Sequence, residues 1–300
     1  MKVRIGISLG ASAEPSRFAA AVDLLEAAGI DSLWVPEHVY GPTVEPFTAI
    51  AFALARTRRL KAGSGISVLP GRHPVLVAKQ LASLAGLAPG RVLPVFGLRP
   101  AAAAERDLFP VPAGERAAVF DEALVLLRQL LTSSSVSFTG RFFSVSGASV
   151  GPPPGKPLDI WLGGSAPAGL RRVGRLADGW LGSLLTPAEA AAAVRVIQDA
   201  AAGAGREVDP DHFGISLPVA LPGLDGLPAG LLASIGQRRP GTDPGSLVLD
   251  GWAGARRGIE AYVAAGLSKF VVRPASGADS AGSFESFVAG FARELVPLQT

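Results

Sequence analysis

Short apolar runs alternate with amphipathic stretches along most of the chain. The apolar runs are nearly continuous, which is typical of strands that are covered on both faces. They occupy residues 3–9, 31–35, 60–69, 91–98, 157–164, 179–185, 213–221 and 269–275. Eight such strands alternating with helices favour an α/β fold in which a parallel sheet closes as a (β/α)₈ TIM barrel, with an open doubly wound sheet as the alternative. We expect one such domain over residues 1–300.

Helical spacing and capping residues predict the helices between these strands. Amphipathic patterns cover residues 15–29, 45–57, 73–86, 114–131, 167–177, 186–205, 254–266 and 283–296. A proline is tolerated in the first turn of a helix, as at Pro46, Pro74, Pro167 and Pro187. Thr186 is placed to cap one helix at its start, and Gly29 is placed to end another in a left-handed conformation.

Three segments interrupt the alternation and are predicted to be insertions at the C-terminal face of the strands. They span residues 99–113, 132–157 and 222–251. The second contains an alternating pattern around Thr139 and Gly140 that predicts a β-hairpin over residues 136–145. The third is rich in Gly, Pro and Asp around a short helical pattern at residues 231–236. We expect this third segment to be mobile when no ligand is bound.

Composition narrows the possible classes of function. Cysteine is absent, which excludes disulfides, thiolate nucleophiles and thiolate metal sites. The formal net charge is +3, and no run of five like charges indicates a nucleic-acid surface. No apolar run is long enough to span a bilayer or to act as a secretion signal. We therefore expect a cytoplasmic protein that binds a small molecule rather than nucleic acid or a membrane, and no metal site is predicted.

The active site of a TIM barrel lies at the carboxyl ends of its strands. Seven of the eight predicted strands end in residues that could face a ligand there: Gly10, Glu37, His38, Ser64, Gly65, Ile66, Ser67, Gly97, Arg99, Gly163, Gly164, Ser165, Ser183 and Arg273. The glycines within residues 63–67 indicate either a β-bulge with close approach of a ligand or tight packing against a helix. Arg273 either snorkels at the barrel rim or binds an anion.

His38 is one of only three histidines, and an imidazole titrates near neutral pH. It is either a proton donor or hydrogen-bonding group at the barrel mouth, or a structural histidine that bonds a loop carbonyl. Glu37 could orient it if the chain bends at Pro36, because adjacent side chains of an extended chain otherwise point in opposite directions.

The segment "WLGGSAP", residues 161–167, is the best candidate for binding a phosphate. Two glycines and a serine follow the predicted strand. Pro167 then begins a helix, whose first N–H groups and positive dipole end would face the barrel mouth. The segment matches neither a Walker loop nor a complete GxGxxG fingerprint.

Five segments in their order resemble the bacterial luciferase-like monooxygenase superfamily, and more closely its deazaflavin (coenzyme F420)-dependent oxidoreductase branch. They are "SLWVPEHV", "KAGSGISVLPGRHPVLVAKQLASLAGLAPGRV", "VSFTGRFFSV", "DIWLGGSAPAGLRRVGRLADGWLGSLLTPAE" and "AYVAAGLSKFVVRP". The resemblance extends over most of the chain. It implies a TIM barrel that binds a flavin or deazaflavin at the carboxyl ends of its strands.

The resemblance also implies roles for individual residues. His38 and Glu37 match the catalytic acid–histidine pair beside the reactive ring. Gly65 and Ile66 match a strand bulge behind the ring, where family members often have a non-proline cis peptide. The implied cofactor-binding residues are His38, Ser64, Gly65, Ile66, Ser67, Gly97, Leu98, Gly163, Gly164, Ser165, Gly179 and Trp180. The implied substrate-facing residues are Ser183, Arg99 and Arg273.

One position departs from the family pattern. Many members have an acidic residue after the fourth strand, and that acid acts as a base in the sugar-phosphate dehydrogenase branch, whereas this chain has Arg99 and Pro100. A sugar phosphate would have to rely on arginine here. The resemblance implies hydride transfer between C5 of F420 and a small organic substrate. The alternatives are an FMN-dependent monooxygenase that uses FMNH₂ and O₂, a catalytically silent flavin-binding barrel, and a barrel isomerase for a phosphate substrate. A separate F420 or flavin reductase and a homodimer are the protein partners that we expect.

Overall fold

Parallel strands form the central sheet of the protein. The computed structural model describes residues 1–221, 227, 229–275 and 281–300. Its parallel strands are β1 (Arg4–Ser8), β2 (Ser32–Val35), β3 (Lys61–Ser64), β4 (Ser67–Val68), β5 (Val92–Leu93), β6 (Val95–Gly97), β9 (Trp161–Gly163), β10 (Gly179–Ser183), β11 (Phe213–Ala220), β12 (Leu249–Asp250) and β13 (Lys269–Pro274). The separate antiparallel hairpin consists of β7 (Val136–Thr139) and β8 (Ser144–Ala148), which confirms the hairpin predicted from the sequence.

The pairing of these strands closes the sheet into a barrel. β3 and β4 are two halves of the third barrel strand, and β5 and β6 are two halves of the fourth. Along the sheet the order is β4-β6-β9-β10-β11-β13-β1-β2-β3-β5. Since halves of the same two strands stand at both ends of this order, the ends meet and eight parallel strands form a ring. The predicted (β/α)₈ barrel is therefore confirmed, and the open-sheet alternative is wrong.

Helices follow the strands and cover the outside of the ring. Their bounds are α1 (Pro15–Ala27), α2 (Pro46–Arg56), α3 (Pro74–Leu87), α4 (Arg116–Thr132), α5 (Pro167–Leu176), α6 (Pro187–Ala202), α7 (Ala229–Arg238), α8 (Gly251–Ala264) and α9 (Ala281–Glu294). Each predicted helix is present, with ends that differ from the predicted ones by up to about three residues, and two of the predicted local end signals are confirmed. Thr186 and Glu189 form a capping box at the start of α6. Gly29 follows α1 with a φ of +70°.

The inside of the ring is filled by large side chains opposite glycines. Trp34 and Trp161 belong to an inner cluster that also contains Val95, Leu181 and Val271. A Cβ atom on Gly63 would lie 2.9 Å from the ring of Trp34. Gly63 is therefore explained by tight packing against this indole and against Leu93 of the neighbouring strand, whose carbonyl oxygen would lie 2.6 Å from the added Cβ, rather than against a helix.

The third predicted insertion is folded where the structure describes it. It contains α7, a 3-10 turn at Pro244–Leu247 and β12. Ile235 and Leu247 pack with Leu184 and Ala275, so α7 covers the carboxyl ends of β10 and β13. The prediction that this segment is mobile stays untested. It partly concerns residues 222–226 and 228, which lie outside the described residues. In the described part of the chain, no helix combines the length and apolar character needed to cross a bilayer.

Candidate active site

The carboxyl ends of the parallel strands meet at one rim of the barrel, and Ile66 lies between three of them. It follows Gly65 between β3 and β4, and the peptide bond between the two residues is cis, as the resemblance implied. Its half-buried side chain packs on the inner cluster. A Cβ atom on Gly163 would lie 2.9 Å from Ile66 Cγ2, and one on Gly97 would overlap Ile66 Cδ1. The structure therefore brings Ile66, Gly97 and Gly163 together, and both glycines make room for the isoleucine.

Glu37 holds the end of β2 against the third barrel strand. Its side chain is 3% exposed. Oε1 accepts a hydrogen bond from Arg72 Nη2 at 2.8 Å, and Oε2 accepts from Arg72 Nη1 at 3.1 Å and from the Val68 amide at 2.8 Å. Both carboxylate oxygens are thus occupied by partners other than His38. The expectation that Glu37 orients His38 directly is wrong, because the extended chain turns the acid inward.

His38 lies on the loop that follows β2, and its side chain is exposed. Its imidazole has no hydrogen-bond partner among the residues that the structure describes, so the structural-histidine alternative, which requires a bond to a loop carbonyl, finds no support. The Gly41 amide donates to the His38 carbonyl at a long 3.4 Å. The ring nitrogens are therefore available to a bound molecule at the rim.

The two serines beside Ile66 are buried beneath the mouth. Ser64 Oγ donates to the Val95 carbonyl at 3.0 Å and accepts from the Val95 amide at 3.1 Å, so it joins the broken third and fourth strands. Ser67 is fully buried, and its Oγ has no partner within the described ranges. Ser64 is thus occupied by a structural link rather than open to a cofactor.

The Gly164 turn is open to solvent and fixed from behind. Gly164 has a φ of +109°, and a Cβ atom there would meet nothing within 4 Å. Its carbonyl accepts a hydrogen bond from Trp180 Nε1 at 2.7 Å, although the resemblance implied that Trp180 lines the cofactor pocket. α5 begins at Pro167 with Ala166 at its N-cap and no side-chain cap. The first-turn N–H groups are consequently free to bind an anion.

Ser183 ends β10, which pairs with the strand before the Gly164 turn, and Arg273 lies near the end of β13; both residues are half-buried. Burial and the nearby Arg238 lower the pKa of Arg273. Leu184, directly after Ser183, has a φ of +55°, and its carbonyl accepts a hydrogen bond from Arg239 at 2.9 Å. A partly desolvated guanidinium near a second cation suits an anionic ligand group.

Another partly desolvated arginine, Arg116, begins α4 just after the 99–113 segment. Leu98 is half-buried and Arg99 is exposed just beyond β6. Burial, together with Arg99, lowers the pKa of Arg116. Arg116 Nη2 donates to the Phe109 carbonyl at 2.7 Å. Arg99 therefore lies near Arg116, whose hydrogen bond to the Phe109 carbonyl anchors this insertion to α4.

Two residues of this region were not predicted from the sequence. Arg72 binds Glu37, as described above, and its guanidinium lies 4.9 Å from the ring centroid of Phe109. Glu105 lies in a 3-10 turn (Ala103–Leu108), is 2% exposed, and accepts a hydrogen bond from the Tyr40 amide at 3.0 Å. The only sequence signal for Glu105 is a single acid after four alanines. Among the described residues, no cluster of His, Asp or Glu is arranged to hold a metal ion.

The family model described as luciferase-like monooxygenase matches residues 1–222 of the chain. The chain belongs to this family. One curated relative is the F420-dependent glucose-6-phosphate dehydrogenase of Nakamurella multipartita, which is 30% identical over 190 residues, 57% of this chain and 54% of the relative. An uncharacterised protein of Mycobacterium tuberculosis is 38% identical over 140 residues, 47% of this chain and 48% of that protein. The chain thus spans about half the length of the curated relatives it matches.

The fold of this luciferase-like family member also matches a solved structure. An F420-dependent secondary alcohol dehydrogenase in complex with an F420-acetone adduct superposes with a TM-score of 0.82 and 18% identity, covering 100% of each chain. At that identity the similarity supports the barrel fold alone. The match over the whole of both chains is consistent with the ring closure described above.

Proposed function

We propose that the chain is an F420-dependent oxidoreductase that transfers a hydride between the deazaflavin and a small organic substrate. The observation that carries this proposal is the arrangement of the rim. The exposed imidazole of His38, the half-buried Ile66 and the uncapped Gly164 turn follow strands of one closed barrel. Such a rim offers a hydrogen-bond donor, an apolar support for a flat ring and an anion site for a phosphate.

The residues present fit a cofactor that has a planar ring and a phosphate. The Gly164 turn has no side chain in the way, and the first amides of α5 would hold the phosphate. Ile66 would support the ring, and Trp180 would keep the turn in place from behind. The cofactor, when bound, supplies the hydride-transfer chemistry. His38 would donate a hydrogen bond or a proton at the substrate.

We further propose that Ser183, Arg99 and Arg273 contact the substrate. Ser183 provides a hydroxyl at the rim, and the two arginines provide positive charge on different sides of it. Glu37 is assigned a positioning role, because Arg72 and Val68 occupy its carboxylate. We expect a homodimer and a separate reductase that returns the cofactor to its reduced form.

Titration of the purified protein with F420 and with FMN tests the cofactor choice. We expect F420 fluorescence to report tight binding and FMN to bind weakly or not at all. Turnover of a panel of alcohols and ketones, followed by the absorbance of F420, then tests the reaction. Tight FMN binding without F420 binding would overturn the proposal.

The second candidate is an FMN-dependent monooxygenase, which the name of the matched family favours. It predicts oxygen consumption with FMNH₂ and substrate, which a deazaflavin enzyme does not show. A catalytically silent flavin-binding barrel is the third outcome. It predicts cofactor binding with no turnover of any substrate in the panel.

A further inference from the structure

The loop that carries His38 has few anchors of its own. The side chains of His38, Val39 and Tyr40 are all exposed, with Val39 at 48% and Tyr40 at 67%. Among the described residues, one backbone hydrogen bond forms within the turn, the long one of 3.4 Å from the Gly41 amide to the His38 carbonyl. Burial of these side chains therefore does not fix the position of the imidazole. Contacts with residues outside the loop are needed to hold it.

We infer that Glu105 is a positioning residue for His38. It accepts the Tyr40 amide hydrogen bond at 3.0 Å while its own side chain is almost fully buried. On the other side of His38, Glu37 is fixed by Arg72 and Val68. The histidine thus lies between two points that are held by buried carboxylates, one before it and one after it. This inference rests on the proposed role of His38 in the F420-dependent reaction.

The segment that carries Glu105 is itself firmly attached. Phe109 is 4% exposed and packs on Gly71, whose added Cβ would lie 2.6 Å from the Phe109 carbonyl carbon. The Phe109 ring contacts the Arg72 guanidinium, and the Phe109 carbonyl accepts a hydrogen bond from Arg116 Nη2. Glu105 therefore belongs to a firmly packed segment, and its hydrogen bond to the Tyr40 amide ties the His38 loop to that segment.

Fold stability alone does not explain the acid at this position. Within the described ranges, Oε2 of Glu105 is buried without a hydrogen-bond partner, and Oε1 accepts one hydrogen bond, from the Tyr40 amide. Burying a carboxylate with so few partners is unfavourable, so an apolar side chain would suit the interior better. What Glu105 provides that an apolar side chain would not is the hydrogen bond to the Tyr40 amide of the loop.

The test compares Glu105→Ala with Glu105→Gln, which keeps an oxygen acceptor for the Tyr40 amide. Asp107→Ala is the matched control, since Asp107 is exposed in the same 3-10 turn. Hydrogen exchange of a peptide spanning residues 38–42 gives a readout that needs no cofactor. We expect about tenfold faster exchange in the alanine variant, because one hydrogen bond is lost. Glu105→Gln and Asp107→Ala should exchange like the wild type.

Kinetics then test the consequence for the reaction. We expect Glu105→Ala to lower kcat by up to about 100-fold with an unchanged dissociation constant for F420, because a misplaced hydrogen-bonding group affects the reacting geometry more than phosphate binding. Glu105→Gln should restore kcat. Normal kcat in the alanine variant, or no rescue by glutamine, would overturn the inference. If the wild-type protein does not react with F420, the proposed function fails, and the exchange data alone decide whether Glu105 holds the loop.

Discussion

The indole Nε1 of Trp180 donates a hydrogen bond of 2.7 Å to the carbonyl oxygen of Gly164. The two residues belong to neighbouring barrel strands, since Trp180 pairs with Leu162 just before the turn. Trp180 is fully buried, whereas Gly164 is exposed. A rigid group in the core therefore fixes the position of a turn at the rim, which makes the proposed phosphate site preorganised.

Replacing Trp180 with phenylalanine removes this donor while keeping an aromatic ring. We expect the free energy of unfolding to fall by about 1–3 kcal/mol, through the lost hydrogen bond and the smaller ring. F420 should also bind more weakly, because the Gly164 turn is no longer fixed. Fluorescence titration with F420 and urea unfolding measure the two effects.

Trp252→Phe is the control for this substitution. Trp252 lies on α8, where its ring packs on Phe287 with a centroid distance of 5.2 Å. We expect this variant to lose stability but to bind F420 like the wild type. Equal F420 affinity in the Trp180 variant and the wild type would show that the turn does not depend on the indole.

A valine at position 164 should reduce cofactor binding more than its effect on stability explains. Gly164 and Gly266 both have left-handed backbones, at φ +109° and +92°, and an added Cβ meets nothing within 4 Å at either position. Gly164→Val and Gly266→Val should each cost about 1–3 kcal/mol of unfolding free energy. Only Gly164→Val should weaken F420 binding, because Gly266 precedes β13 at the opposite end of the barrel. Unchanged affinity in Gly164→Val would remove this turn from the site.

His38→Ala should impair turnover without destabilising the fold. A general acid or base contributes about 10²–10⁴-fold to the rate, so kcat/KM should fall within that range. Since the side chain is exposed, we expect the free energy of unfolding to change by less than about 0.5 kcal/mol. Steady-state kinetics with F420 and urea unfolding are the measurements.

His73→Ala provides the opposite pattern as a control. His73 Nδ1 accepts the Val75 amide at 3.3 Å and caps α3. Its loss should lower stability by about 0.5–2 kcal/mol and leave kcat/KM unchanged. A His38 variant that keeps its activity but loses several kcal/mol would mean that this histidine is structural.

The sequence was sufficient to predict the barrel and the rim, because both depend on local signals. Apolar runs, first-turn prolines and the capping pair at Thr186 each report on a few neighbouring residues. The closed ring follows from the number of strands, and the position of His38 follows from the end of β2.

The partners of the site residues could not be predicted in the same way. Glu37 and Arg72 are 35 residues apart in sequence, and Glu105 and Tyr40 are 65 apart. The sequence pattern does not distinguish Arg72 from other arginines, because its contact with Glu37 forms only when folding brings the strand ends together. The same reason explains Trp180, whose indole turns toward the back of the Gly164 turn rather than into the pocket.

Acid should unfold the protein partly through an ion cluster at the amino ends of the strands. Asp31 accepts hydrogen bonds from Lys61 at 2.7 Å and from Lys269 at 2.5 Å. Burial would raise the pKa of Asp31, but Lys269 and Lys61 outweigh it and lower the pKa from 3.8 to about 2. Between pH 3.8 and about 2, the unfolded chain therefore binds more protons at Asp31 than the folded protein does. The free energy of unfolding should decrease as the pH falls through this range.

Asp31→Asn tests this contribution against Asp199→Asn, an exposed position on α6 without a recorded ion pair in the described part of the chain. Removing Asp31 leaves Lys269 buried without its partner, so we expect a loss of about 3–5 kcal/mol at neutral pH. Urea unfolding followed by tryptophan fluorescence should also show a flatter pH dependence between pH 3.8 and about 2. The Asp199 variant should follow the wild-type curve. F420 affinity should stay unchanged in both variants, because the cluster lies at the barrel end opposite His38. A wild-type slope in Asp31→Asn would show that this carboxylate does not control acid unfolding.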